Sequence, residues 1–164
     1  MIQATIYSAF PIYINTEANR IDTTVASTQI RHLMKFTNDL DGAIFYAYGV
    51  TETIYNRYTK FVFAYIASPA IPDIYTGETR LQPAGYYKYE AWEVSWEGTV
   101  TVSSGNAPAT EIDILTPPAT DKGIVQGLVA IGKLYLSEES GKEQVQYTQR
   151  QEPDGNNYIW YGQS

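Results

Sequence analysis

The chain has 164 residues, enough to bury roughly 70% of its unfolded surface around one core, and its 44% hydrophobic content argues against wholesale disorder. Eleven Lys plus Arg against eighteen Asp plus Glu give a formal net charge of −7, and the basic residues are scattered, so no nucleic-acid partner is expected. The lack of cysteine excludes disulfides and thiolate chemistry, and no segment approaches the ~18 consecutive apolar residues of a membrane span, so no membrane partner is expected either.

Fifteen Tyr, five Phe and three Trp favour pleated surfaces, where aromatic and β-branched side chains pack across strands. The opening MIQATIYSAF has neither a basic leader nor the apolar run of a signal peptide, so folding in a cytoplasm is expected. Ile2 to Ile14 is apolar and β-branched but contains Pro11, which cannot donate to a ladder. It reads as an edge strand, or as an arm that pairs with another chain. Its candidate partner contacts are Ile2, Ile6, Tyr7, Phe10, Pro11 and Tyr13. Thr16 to Ile21 suggests a helical turn with Thr16 as its cap.

Ile30 to Thr37 and Ala43 to Tyr48 alternate as strands, and the intervening Asn38 to Gly42 tolerates positive φ, which predicts a hairpin. Thr59 to Ile66 sets Phe61, Phe63 and Tyr65 on one face, a candidate core face. After loops punctuated by Pro69, Pro72 and Pro83, Tyr86 to Trp96 forms a long strand. Tyr87, Tyr89 and Ala91 point one way and Trp92, Val94 and Trp96 the other. Its two ends are therefore expected on opposite buried faces, with a bulge as the device.

Thr99 to Ser103 is a short β-rich segment, and residues 104–120 read as a long connection, the one credible internal boundary of a single domain spanning 1–164. Gly123 to Leu136 is apolar on both alternating sets, which predicts a strand buried on both faces. The expected core residues are Phe61, Phe63, Leu128 and Leu134. A hairpin from Glu143 to Gln149 and Tyr158 to Tyr161 turns at Pro153 to Asn156. About nine strands with long loops predict an all-β fold, an antiparallel β-sandwich or barrel.

His32 is the single histidine, and it shares its strand face with Ile30, Met34 and Phe36 without any Gly-x-Ser-x-Gly elbow. It reads as a packed strand histidine. Asp39 and Asp41 lack the remaining ligands of a calcium loop and suit a turn instead, while zinc lacks its usual Cys and His set. Glu90, Glu93 and Glu97 lie near Trp92 and Trp96, as a glycosidase would require, yet Glu90 and Glu93 fall on opposite strand faces unless a bulge intervenes. No glycine-rich phosphate cradle occurs. No catalytic, cofactor-binding or metal-binding residue is assigned, and no cofactor is expected. The chain reads as a structural or binding component. A carbohydrate-binding β-sandwich module with a platform at Trp92 and Trp96 is the alternative.

Four stretches carry a resemblance: HLMKFTNDLDGAIFYAYG from His32 to Gly49, LQPAGYYKYEAWEVSW from Leu81 to Trp96, GIVQGLVAIGKLYL from Gly123 to Leu136, and EQVQYTQ with NNYIWYGQ between Glu143 and Gln163. They resemble short proteins encoded by marine and Bacteroidetes-type bacteriophages. The resemblance implies a virion structural protein made in the host cytoplasm, capsid-associated as a minor capsid or decoration subunit, with a tail or head–tail connector component as the alternative. Its implied partners are other virion proteins, capsid subunits first, with the chain present as a homo-oligomer or in many copies on the particle. It implies no catalytic residue.

Overall fold

The computed structural model describes residues 1–116 and 119–139, so the hairpin expected between Glu143 and Tyr161 lies outside the described residues. Strand accounts for 45% and helix for 4%. The strands are β1 (Ile2–Thr5), β2 (Phe10–Ile14), β3 (Ile30–Asn38), β4 (Ile44–Tyr48), β5 (Thr51–Ile54), β6 (Thr59–Tyr65), β7 (Glu78–Thr79), β8 (Gly85–Ser95) and β9 (Ile124–Ser137). The larger sheet runs β1-β9-β8-β3-β4, and the smaller runs β2-β6-β5 with β7 beside β6. Most neighbours are antiparallel, but β1 pairs parallel with β9 and β7 parallel with β6. The architecture is sandwich-like with two mixed sheets and no closed barrel, which removes the barrel alternative and the wholly antiparallel expectation.

Alternation decides the main core. Phe10, Ile12, Ile14, Phe61 and Phe63 from the smaller sheet meet Met34, Phe36, Ala47, Tyr87, Ala91, Leu134 and Leu136 from the larger. Phe63 lies edge-on to Phe36 at 5.6 Å and stacks on Phe10 at 5.5 Å between ring centroids. Phe61, Phe63 and Leu134 are fully buried, as their positions predict.

Ile2 to Ile14 is not one strand. Its halves are edge strands of different sheets, joined at a corner where Tyr7 adopts φ 62°. Pro11 pairs with Val62, whose carbonyl accepts from Val50 N–H on the opposite edge of β6. The nitrogen of Pro11 therefore points away from β6, and no ladder bond is lost. The turn at Glu17–Asn19 forms, but not through a Thr16 cap: the Thr16 hydroxyl pairs with Thr59 Oγ1 at 2.8 Å, and Asn15 Oδ1 accepts from Ala18 N–H at 3.2 Å.

The larger sheet is covered on both faces. Residues 97–116 and 119–123 fold across its outer side, where Leu33, Tyr48, Val94, Trp96 and Ala107 form a second buried cluster. Trp96 Nε1–H donates to the Asn106 carbonyl at 3.3 Å, Tyr48 hydroxyl to the Pro108 carbonyl at 2.8 Å, and Gly123 N–H to the Asn106 carbonyl at 2.8 Å. Gly123 passes so close that a Cβ there would sit 2.6 Å from the Trp96 ring. Thr99 to Ser103, expected to be β-rich, belongs to this irregular cover.

The two ends of β8 are buried on opposite faces, as expected, but β8 itself is not bulged. Ala91 pairs with Ala130 and Trp92 with Leu128; Glu93 pairs with Gly127 and Val94 with Val125. The extra residues, Val129 and Gln126, therefore belong to β9, while β8 stays in regular register with β3. These bulges overturn the expectation for Leu128. It stands opposite Trp92 on the outer face and is 40% exposed, whereas Val129 is buried. Nor is β9 buried on both faces, because Ile124 and Ile131 are also exposed.

Candidate functional site

His32 lies one residue beyond the paired end of β4, where Leu33 still faces Tyr48. Its N–H would be orphaned there, and Glu52 of β5 fills the place. Glu52 Oε2 accepts from His32 N–H at 3.1 Å, and Oε1 lies 2.6 Å from His32 Nδ1. The two side chains are only 2% and 3% exposed, and the imidazole stands edge-on to Phe61 at 5.6 Å. This pair ties one sheet to the other. Among the described residues no hydroxyl is bonded to the ring, so no nucleophile is poised for activation.

The carboxylates of β8 separate as alternation dictates. Glu93 is buried on the inner face, where Oε2 accepts from Ile21 N–H at 2.9 Å and Oε1 from Asp22 N–H at 2.7 Å. Glu90 is on the outer face, 2.6 Å from Lys88 Nζ and 3.7 Å from Lys35 Nζ. They cannot flank one bond. Glu97 lies beyond the strand, and its carbonyl accepts from Gln29 Nε2 at 3.1 Å.

Lys35 also meets Glu111 Oε1 at 2.5 Å, and Tyr46 hydroxyl donates to Glu111 Oε2 at 2.6 Å, which fastens the cover to β3 and β4. The hydrogen bond to Glu111 raises the Lys35 ammonium above its ordinary range. Burial opposes ionisation of Glu111, yet hydrogen bonds from Lys35 and Tyr46 hold its carboxyl below the ordinary value. Burial, with the Glu111 bond, pushes the Tyr46 phenol up.

The aromatic platform expected at Trp92 and Trp96 is not there. Trp96 is fully buried beneath the cover, and Trp92 packs partly buried against the same cluster. Asp41 accepts from Ala43 N–H at 2.9 Å, Asn38 Oδ1 accepts from Leu40 N–H at 2.7 Å, and Asp39 pairs with Lys133 at 2.5 Å. Turn chemistry and one surface pair use these groups. Among the described residues no three acids or histidines gather as a metal site, and no helix is long and apolar enough to cross a membrane.

Of the candidate contacts, Ile6 and Phe10 are spent in the chain's own core, and Ile2 is half-buried. Tyr7, Pro11 and Tyr13 are exposed. Tyr7 packs edge-on to Tyr65 at 5.6 Å at one end of β2. At the other, Tyr13 meets Tyr58 at 5.5 Å, and Tyr58 meets Tyr55 at 4.8 Å. Sequence reasoning missed Tyr55 and Tyr58, which flank the tight β5–β6 turn closed by Tyr55 N–H on the Tyr58 carbonyl. A tyrosine on each side of the two-residue turn Asn56-Arg57 was the available signal.

Two clefts adjoin these features. One, of about 440 Å³, is lined by Arg31, Tyr48, Glu52, Tyr75 and Val102. The other, of about 540 Å³, opens between Tyr13 and Ile14 on one side and Tyr89, Leu128 and Ile131 on the other. Comparison with known families, curated proteins and solved structures finds no match for the chain.

Proposed function

We propose that the protein is a structural component of a bacteriophage particle, capsid-associated, which works by stoichiometric docking onto other virion proteins. The observation that carries this reading is the exposed tyrosine surface: Tyr7 at one end of β2, and Tyr55 and Tyr58 at the other, are each solvent-accessible in the connections that border the smaller sheet. Tyrosine supplies large contact area at low entropic cost, which suits protein interfaces. The resemblance of His32 to Gly49, Leu81 to Trp96 and Gly123 to Leu136 supplies the virion context. The histidine is locked inside the sandwich, so an acid–base reaction has no accessible centre there. Repeated copies on a lattice would add avidity to each modest contact.

The N-terminal segment does not serve as a detachable arm, because it contributes Ala4, Ile6, Phe10, Ile12 and Ile14 to the core. Contact is therefore tested at its surface. Protein identification on washed particles should find the chain at a constant ratio to the major capsid protein, and its absence would overturn the reading. Tyr7→Ser with Tyr55→Ser should lower incorporation while leaving the melting temperature of the purified protein unchanged. Labelling on intact particles separates a capsid position from a tail or connector position.

A further inference from the structure

Among the described residues the sandwich is open along one side. β1 pairs with β9 over Leu134–Ser137, and on that side residues 124–131 of β9 have no strand neighbour among the described residues. The gap between this stretch and the end of β2 is the cleft of about 540 Å³, within the range of small-molecule sites.

Two tyrosines frame it. Tyr13 is 52% exposed, and its ring is held by Tyr58 edge-on at 5.5 Å and by Lys60 Nζ at 5.9 Å from its centroid. Tyr89 rises from β8 and crosses β9 at Gly132, where a Cβ would lie 2.6 Å from the phenol oxygen. Glycine is what lets this ring reach the opening. The Tyr89 hydroxyl has no hydrogen-bond partner among the described residues.

Two amides complete the wall, each fixed by one bond and each left with a group that has no partner among the described residues. Asn15 uses Oδ1 on Ala18 N–H at 3.2 Å, leaving its NH₂ as donor. Asn19 uses Nδ2 on the Val129 carbonyl at 2.9 Å, leaving Oδ1 as acceptor. Phenols apart, no ionisable side chain among the described residues lines the cleft. A charged ligand would lose water without gaining a counter-charge. An extended peptide would need an unbroken ladder, but the bulges at Gln126 and Val129 interrupt β9, and Asn19 already occupies the Val129 carbonyl.

We propose that this cleft binds a neutral saccharide of one or two pyranose rings, with a C–H face laid on Tyr13 and hydroxyls bonded to Asn15, Asn19 and Tyr89. The inference does not rest on the docking function proposed above. It is tested by titrating the full chain with glucose, galactose, N-acetylglucosamine, maltose, cellobiose and chitobiose, followed by amide chemical shifts. The expected result is saturable shifts at Asn15, Asn19, Tyr89 and residues 128–131 for at least one sugar. Tyr13→Ala should weaken that binding about tenfold while Tyr13→Phe preserves it. Tyr89→Phe, which keeps the ring, should weaken it severalfold with no change in melting temperature. No saturable binding across the six sugars would overturn the proposal. So would shifts mapping elsewhere, indifference to Tyr13→Ala, or tighter binding of glucuronic acid or of an extended peptide.

Discussion

His32 and Glu52 show how a residue's role follows from its neighbours. A lone histidine beside a carboxylate has the composition of a catalytic dyad, yet here the carboxylate closes a gap left where β4 ends. Glu52→Ala would strand a buried N–H and a ring nitrogen, and should cost about 1–3 kcal/mol in urea denaturation. Glu52→Gln should cost less, because its amide oxygen still accepts one bond. Equal stability of Glu52→Ala and wild type would refute the clamp. Phe63→Ala should destabilise by about 3–5 kcal/mol, and Leu128→Ala by less than about 1 kcal/mol. The first position was legible in the sequence, because Phe61 and Phe63 obey the two-residue period of an unbulged strand. The second was not, since two extra residues in β9 reset which side chains face inward.

Among the elements, the cover formed by residues 97–116 and 119–123 should respond to pH through Glu111 and its partner Lys35. Glu111 ionises below its ordinary 4.5 in the folded chain, so its contribution is complete above that value and is lost as pH falls through the lower folded one. Lys35 titrates above its ordinary 10.5, so its contribution holds below that value and is lost as pH rises through the higher one. The cover should therefore sit firmest between these limits. Hydrogen exchange at Ala107 and Gly123 amides, corrected for intrinsic rate, should accelerate in acid, and Glu111→Gln should flatten that dependence. An acid response unchanged by Glu111→Gln would place the sensitivity elsewhere, for example at Asp113, whose carboxyl is also held low by its bond from Thr110. Gly123→Ala should loosen the same cover by forcing a methyl into the Trp96 ring. The β3–β4 hairpin, β6 and β8 were readable from alternation and turn residues. β5 was not: Thr51-Glu52-Thr53-Ile54 turns a carboxylate inward, and that makes sense only once His32 is known to lie opposite.

At the scale of the whole molecule, the first fourteen residues bind the sandwich together. β1 extends the larger sheet and β2 the smaller, and their inward side chains fill the main core. Deleting residues 1–14 should abolish cooperative thermal unfolding rather than release an intact domain, and a sharp transition near the wild-type temperature would contradict this. The sequence by itself determined the all-β class, the positions of most long strands and the inward placing of Phe61, Phe63 and Leu134. Those properties follow from backbone alternation and turn chemistry, which act over a few neighbouring residues. Only the tertiary structure decided that Ile2 to Ile14 divides between two sheets, that Trp96 is roofed over, that Leu128 faces outward, and that Tyr13 and Tyr89 line one cleft. Each of these depends on what packs against a face from far along the chain, and a local period leaves that partner unspecified.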